Sequence, residues 1–132
     1  RELCVIDLDT VMPGLCAFDF GDAIRFGANH CAEDEPDLQK VQFDLHLYEV
    51  FADQYLSACA ESGTALSQAE TDSLRWGAKL MTLECGLRFL TDYLLGDTYF
   101  HIDFPDQNRL RCRTQMKLVS DMETVWDAMR LS

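Results

Sequence analysis

The sequence predicts a mostly α-helical single domain with one short β-strand at its N-terminal end. Three features point to it. Apolar residues recur at three- and four-residue spacing through most of the chain, between recognisable helix start and stop signals. Only residues 3–8 form a short apolar run rich in β-formers, the pattern of a buried strand. A length of 132 residues without internal repeat, low-complexity stretch or linker makes one domain spanning residues 1–132.

The elements follow in order. The strand ends in Asp7-Leu8-Asp9-Thr10, and Pro13-Gly14 then breaks the chain. Residues 19–26 read as a short helix. Residues 30–37 carry four acids and a proline and read as a loop. Residues 41–47 alternate with period two, yet Leu45, Tyr48, Ala52, Tyr55 and Leu56 recur at helical spacing. An extended lead-in to about Phe43 satisfies the first pattern. A helix from Asp44, its N-cap, to about Ser62 satisfies the second, with Gly63 to end it. Ser67-Gln68-Ala69-Glu70 has the form of a capping box, and the helix it starts runs from Gln68 to Leu95, with Gly96 behind it. Gly77 and Gly86 weaken that helix intrinsically, so they mark close approach of another element. Residues 98–104 are irregular. Asp106 caps a last helix from Gln107 to about Arg130. A lone strand leaves its edge unpaired. The chain also opens on Arg1 and enters the strand without lead-in. The expectation is a piece of a longer protein whose front part is missing, or a homodimer formed through the unpaired strand.

Charge and composition narrow the function. Eleven Lys and Arg against 23 Asp and Glu give a net charge of -12, which repels phosphate backbones and argues against nucleic-acid binding. An apolar content of 48% argues against disorder. No apolar run approaches the roughly 18 residues of a membrane helix. Six cysteines contain no Cys-x-x-Cys pair, and no secretion signal is visible. They read as reduced thiols of a cytoplasmic protein rather than a zinc or disulfide framework.

The densest chemical signal is the strand end. A carboxylate at the end of an apolar strand offers a rigid oxygen ligand to a hard cation such as Mg²⁺. Asp7 follows apolar residues, where burial without a partner is costly, so a ligand role is favoured. Asp9 suits either a metal or a turn cap. Arg109, Arg113 and Lys117 lie four apart on one helix face and read as solvated. The three histidines lack helical metal-ligand spacing.

Val5-Ile6-Asp7 followed by Phe18-Asp19-Phe20-Gly21-Asp22 resembles the C-terminal lobe of the aminoglycoside phosphotransferase and choline kinase-like family, nearest its sugar 1-kinases. Ala23-Ile24-Arg25-Phe26-Gly27, Glu33-Asp34-Glu35-Pro36, Gly77-Ala78-Lys79-Leu80-Met81-Thr82-Leu83-Glu84 and Arg111-Cys112-Arg113-Thr114-Gln115 extend the likeness over essentially the whole chain. The resemblance implies the helical lobe of a protein-kinase-like fold. It implies Mg²⁺-dependent transfer of the ATP γ-phosphate to a sugar hydroxyl, the anomeric 1-OH of an N-acetylhexosamine. On this likeness Asp7 matches the metal-binding aspartate, with Asp9 a second metal candidate. Asp19-Phe20-Gly21 imitates the kinase Asp-Phe-Gly but falls where the family carries an aspartate that buttresses the catalytic loop, so Asp19 is supporting. Arg88, between Leu87 and Phe89, and Tyr99 beyond the helix are implied to hold the sugar. Their ordinary structural roles would be a pair with Glu84 and core packing.

The family's His-x-Asp-x-x-x-x-Asn loop, its glycine-rich loop and its ATP-gripping lysine do not occur in these residues. No catalytic base is therefore assigned, and this chain alone is expected not to transfer phosphate. Two rivals stand beside this reading. Asp7-Leu8-Asp9 also fits the Asp-x-Asp of haloacid-dehalogenase phosphatases, although Thr10 comes one residue too early for that motif. A non-catalytic helical module that binds a partner or self-associates is the other.

Overall fold

A computed structural model of the chain describes residues 4, 6 and 8–131. Among them lie four helices: α1 (Cys16–Gly27), α2 (Leu45–Glu61), α3 (Gln68–Leu94) and α4 (Gln107–Thr124). The mostly α-helical class is what the sequence predicts. None of these helices is long and apolar enough to cross a membrane.

Local signals start two of them. Asp44 accepts the Leu47 amide at 3.0 Å and caps α2. At α3, Glu70 accepts the Ser67 amide at 2.8 Å while Ser67 Oγ accepts the Glu70 amide at 3.3 Å, the reciprocal pair of a capping box. α3 is the axis of the fold. α1 and α4 both pack on it, and α2 rests on α1. α4 runs antiparallel to α3: Lys79 pairs with Glu123 at 2.6 Å, and Asn108 meets Asp92 at 2.9 Å.

The α1–α3 crossing is made by small residues. A Cβ added at Gly77 would fall on the carbonyl of Ala17, and one added at Gly21 on the carbonyl of Gly77. Only glycine lets the two backbones approach this far. Around the crossing lies the main core, with Phe20 and Tyr48 fully buried and their rings edge-on at 5.8 Å. Val41, Phe43, Leu74, Leu118, Met122 and Met129 complete it. The buried Tyr48 hydroxyl donates to the Met129 carbonyl at 2.9 Å, which supplies the partner a buried phenol needs.

Four expectations change. Of the predicted strand, Leu3, Val5 and Asp7 lie outside the described residues, while Cys4, Ile6 and Leu8 adopt no strand. Ile6 and Leu8 are exposed, at 77% and 60%. A strand needs a neighbouring ladder, and among the described residues only an isolated bridge between Asn29 and Phe43 is paired. α1 begins at Cys16 rather than near Asp19, which puts Asp19 in the first turn. Asp106 precedes α4 at φ 70° without a side-chain cap, because a left-handed backbone turns the carboxylate away from the first amides. That carboxylate accepts from Arg109 at 3.0 Å instead. α4 ends at Thr124 rather than near Arg130. Turns continue past it, with the Met129 amide bonded to the Val125 carbonyl at 3.2 Å. Met129 therefore still reaches the core.

Candidate ligand-binding site

The site is built at the C-terminal end of α3. Gly96 at φ 90° and Asp97 at φ 57° turn the chain back on the helix. This brings three amides onto Asp92, a buried acid of the last turn of α3. Asp92 accepts from Thr98 at 2.9 Å, Tyr99 at 2.8 Å and Phe100 at 3.0 Å. Asn108 of α4 adds a fourth bond at 2.9 Å and also donates to Asp97 at 2.9 Å. Burial works against the charge of Asp92, but the bonds from Phe100, Tyr99, Thr98 and Asn108 outweigh it and hold the carboxyl below its usual range.

The loop fixed in this way presents Tyr99 to Arg88. The Arg88 guanidinium donates to the Tyr99 hydroxyl at 3.4 Å and lies 5.6 Å from its ring centre and 5.3 Å from that of Phe100. Phe100 is held in turn by Phe89, with ring centres 4.7 Å apart. Arg88 also approaches Glu84 at 3.7 Å, so the i,i+4 pairing exists alongside the contact with Tyr99. Tyr99 is 73% exposed and does not pack as core. Arg88, Tyr99 and Phe100, together with Thr91, Asp92 and Leu95, line an open groove of about 550 Å³. A cation with spare N–H donors, a phenol and an exposed aromatic face can hold hydroxyls and the apolar face of a ring.

Of the residues singled out in the sequence, Arg88 and Tyr99 are brought together. Asp7 lies outside the described residues. Asp9 sits in an exposed turn and Asp19 is exposed on α1; neither lines the Arg88–Tyr99 groove. Among the described residues no three His, Cys, Asp or Glu side chains group to hold a metal ion. The Mg²⁺ assignment therefore stays with Asp7, outside the described residues, and rests on the resemblance.

Sequence reading missed Asp92. Its signal was present: position 92 continues the buried stripe of Ala78, Cys85 and Phe89, where a lone acid needs partners. It also missed a cluster in which Arg25 donates to Asp22 at 3.0 Å and to Glu33 at 2.6 Å, with Arg111 3.8 Å from Glu33. Burial pushes the thiols of Cys85 and Cys112 up, so both sit in the core as neutral side chains. No protein-family model matches the chain.

Proposed function

We propose that this chain is the C-terminal, acceptor-holding lobe of a cytoplasmic small-molecule kinase of the aminoglycoside phosphotransferase and choline kinase-like type. Within that class we place it with N-acetylhexosamine 1-kinases, whose acceptor hydroxyl is the anomeric one. The supporting observation is the meeting of Arg88 and Tyr99, 11 residues apart in sequence, on an open groove. Arg88 donates to sugar hydroxyls, and Tyr99 offers both a hydroxyl and a ring face. Asp92 acts behind them by fixing the loop that carries Tyr99. ATP and Mg²⁺ enter this reading through the resemblance at Asp7. No step is derived through the metal, and the lobe carries no assigned base, so its own contribution is to bind and orient the acceptor.

Calorimetry of the chain with N-acetylglucosamine, N-acetylgalactosamine and glucose tests the reading. An N-acetylhexosamine binds, and Arg88→Ala weakens it roughly tenfold, the scale of one charge-assisted hydrogen bond. Arg88 is half exposed, so the variant keeps its fold by circular dichroism. Affinity unchanged in Arg88→Ala would return this residue to its pairing with Glu84.

A second reading, self-association of a non-catalytic helical module, draws support from an exposed apolar stripe on α3. Trp76, Leu80, Leu87, Leu90 and Leu94 recur along one face and are 36% to 73% exposed. A mass by light scattering that doubles with concentration, with no saccharide bound, would favour it.

A further inference from the structure

Across Arg88 from the Tyr99 groove lies a second open compartment of about 480 Å³, and Arg88 and Phe100 belong to the walls of both. Its remaining wall comes from α1, the loop after it, α3, His101 before α4, and α4 itself. Three guanidinium groups, Arg25, Arg88 and Arg111, face three carboxylates, Asp22, Glu33 and Glu84. Arg25 and Arg111 are largely buried, with side chains 14% and 18% exposed, and Glu33 lies between them. Phe89 and Phe100 form an aromatic wall, with the Arg111 guanidinium 5.6 Å from the Phe89 ring centre.

The lining selects a ligand by charge. Its formal charges cancel, so an anion drawn to the guanidinium groups meets three carboxylates, and a cation meets the reverse. A neutral polyhydroxyl ligand meets no such opposition. Each hydroxyl is both donor and acceptor and can bridge an arginine and a carboxylate, while a sugar's C–H face covers the rings. Arg25 and Arg111 already serve as struts through Glu33. Glu84 is different: it is 47% exposed and lies 3.7 Å from Arg88, too far for a hydrogen bond, so it offers acceptors at the boundary between the compartments.

We propose that this compartment is a second saccharide site, so that the groove takes a two-ring sugar with one ring beside Tyr99 and the other between Glu84 and Arg111. The inference rests on the sugar reading above and extends it from a monosaccharide to a disaccharide.

Calorimetry of the chain with N-acetylglucosamine, its β-1,4- and β-1,3-linked dimers and inorganic phosphate tests it. One of the dimers binds roughly tenfold tighter than the monosaccharide, and Glu84→Gln removes most of that gain, read as the ratio of dimer to monosaccharide affinity within the same variant. A monosaccharide that binds while neither dimer gains overturns the second site and leaves the first standing. A gain that survives Glu84→Gln also overturns it. Phosphate binding more tightly than either saccharide overturns the charge assignment. No saccharide binding at all overturns both readings together.

Discussion

The two halves of α3 are held by different forces. The first half meets α1 through Ala17, Gly21, Gly77 and Ala78, small residues that bring the two backbones into contact. The second half meets α4 through a lesser cluster of Cys85, Phe89 and Cys112 and then through the polar hub of Asp92. Exposed apolar side chains run along both halves, Trp76 and Leu80 beside the crossing and Leu87 and Leu94 toward the hub, so the difference lies in what each end packs against. The crossing derives stability from volume and admits no change in it. The hub derives position from hydrogen bonds, beside the open groove that Arg88 and Tyr99 line. Close packing and a hydrogen-bonded hub are therefore found at opposite ends of one helix.

The largest expected effect is at the crossing. Gly77→Ala places a methyl group on the backbone of Ala17, and a backbone cannot rotate away as a side chain can. Alanine's helix propensity returns about 1 kcal/mol, but the helices must separate, and a net loss of about 3 kcal/mol is expected in urea unfolding. A loss below about 1 kcal/mol would mean that the crossing gives way easily, and the contrast between the two ends would disappear.

The hub should reveal itself through pH. The carboxyl of Asp92 is held below its usual range, so the folded state binds fewer protons than the unfolded one. The stability this contributes is fully present above the ordinary carboxylate pKa of about 3.9 and is lost as pH falls through the lower folded value. Asp92→Asn cannot titrate there. The stability gap between the native chain and Asp92→Asn is therefore widest at neutral pH and narrows below about pH 4, read from urea midpoints at each pH. Asp44, Glu70 and Asp106 are lowered too, but they titrate in both proteins and cancel in the difference. A gap that stays constant with pH would show that Asp92 acts through shape and not charge.

How far the sequence discloses these two ends depends on how local their causes are. Asp44 and Ser67 cap from within three residues, and the starts of α2 and α3 are legible for that reason. Gly77 is legible as a close approach because glycine in a helix needs some such justification. The end of α4 is not legible: Val125, Trp126 and Met129 continue the helical spacing, yet a run of turns buries Met129 just as well. The strand pattern of residues 3–8 describes side chains without saying whether anything covers them, and Ile6 and Leu8 are exposed. At the site, the family resemblance links Arg88 with Tyr99. The means of joining them is hidden, because Asp92 acquires its partners only after Gly96 and Asp97 reverse the chain.

The smallest expected effect sharpens the contrast most, since it repeats one substitution at the other end of the same helix. A Cβ at Gly86 would meet the terminal methyl of Met116 and lie 3.0 Å from Gln115 Cβ. The obstacles here are side chains, and methionine, unbranched with three rotatable bonds, is the residue best able to withdraw. Alanine gains about 1 kcal/mol of helix propensity, and moving Met116 costs about the same, so Gly86→Ala should leave stability within about 1 kcal/mol of the native chain. Urea midpoints of Gly77→Ala and Gly86→Ala, measured side by side, separate backbone contact from side-chain contact without changing the chemistry of the substitution. Equal losses would mean that α4 is locked on α3 as tightly as α1 is. The groove at the hub would then owe its shape to packing and not to the bonds of Asp92.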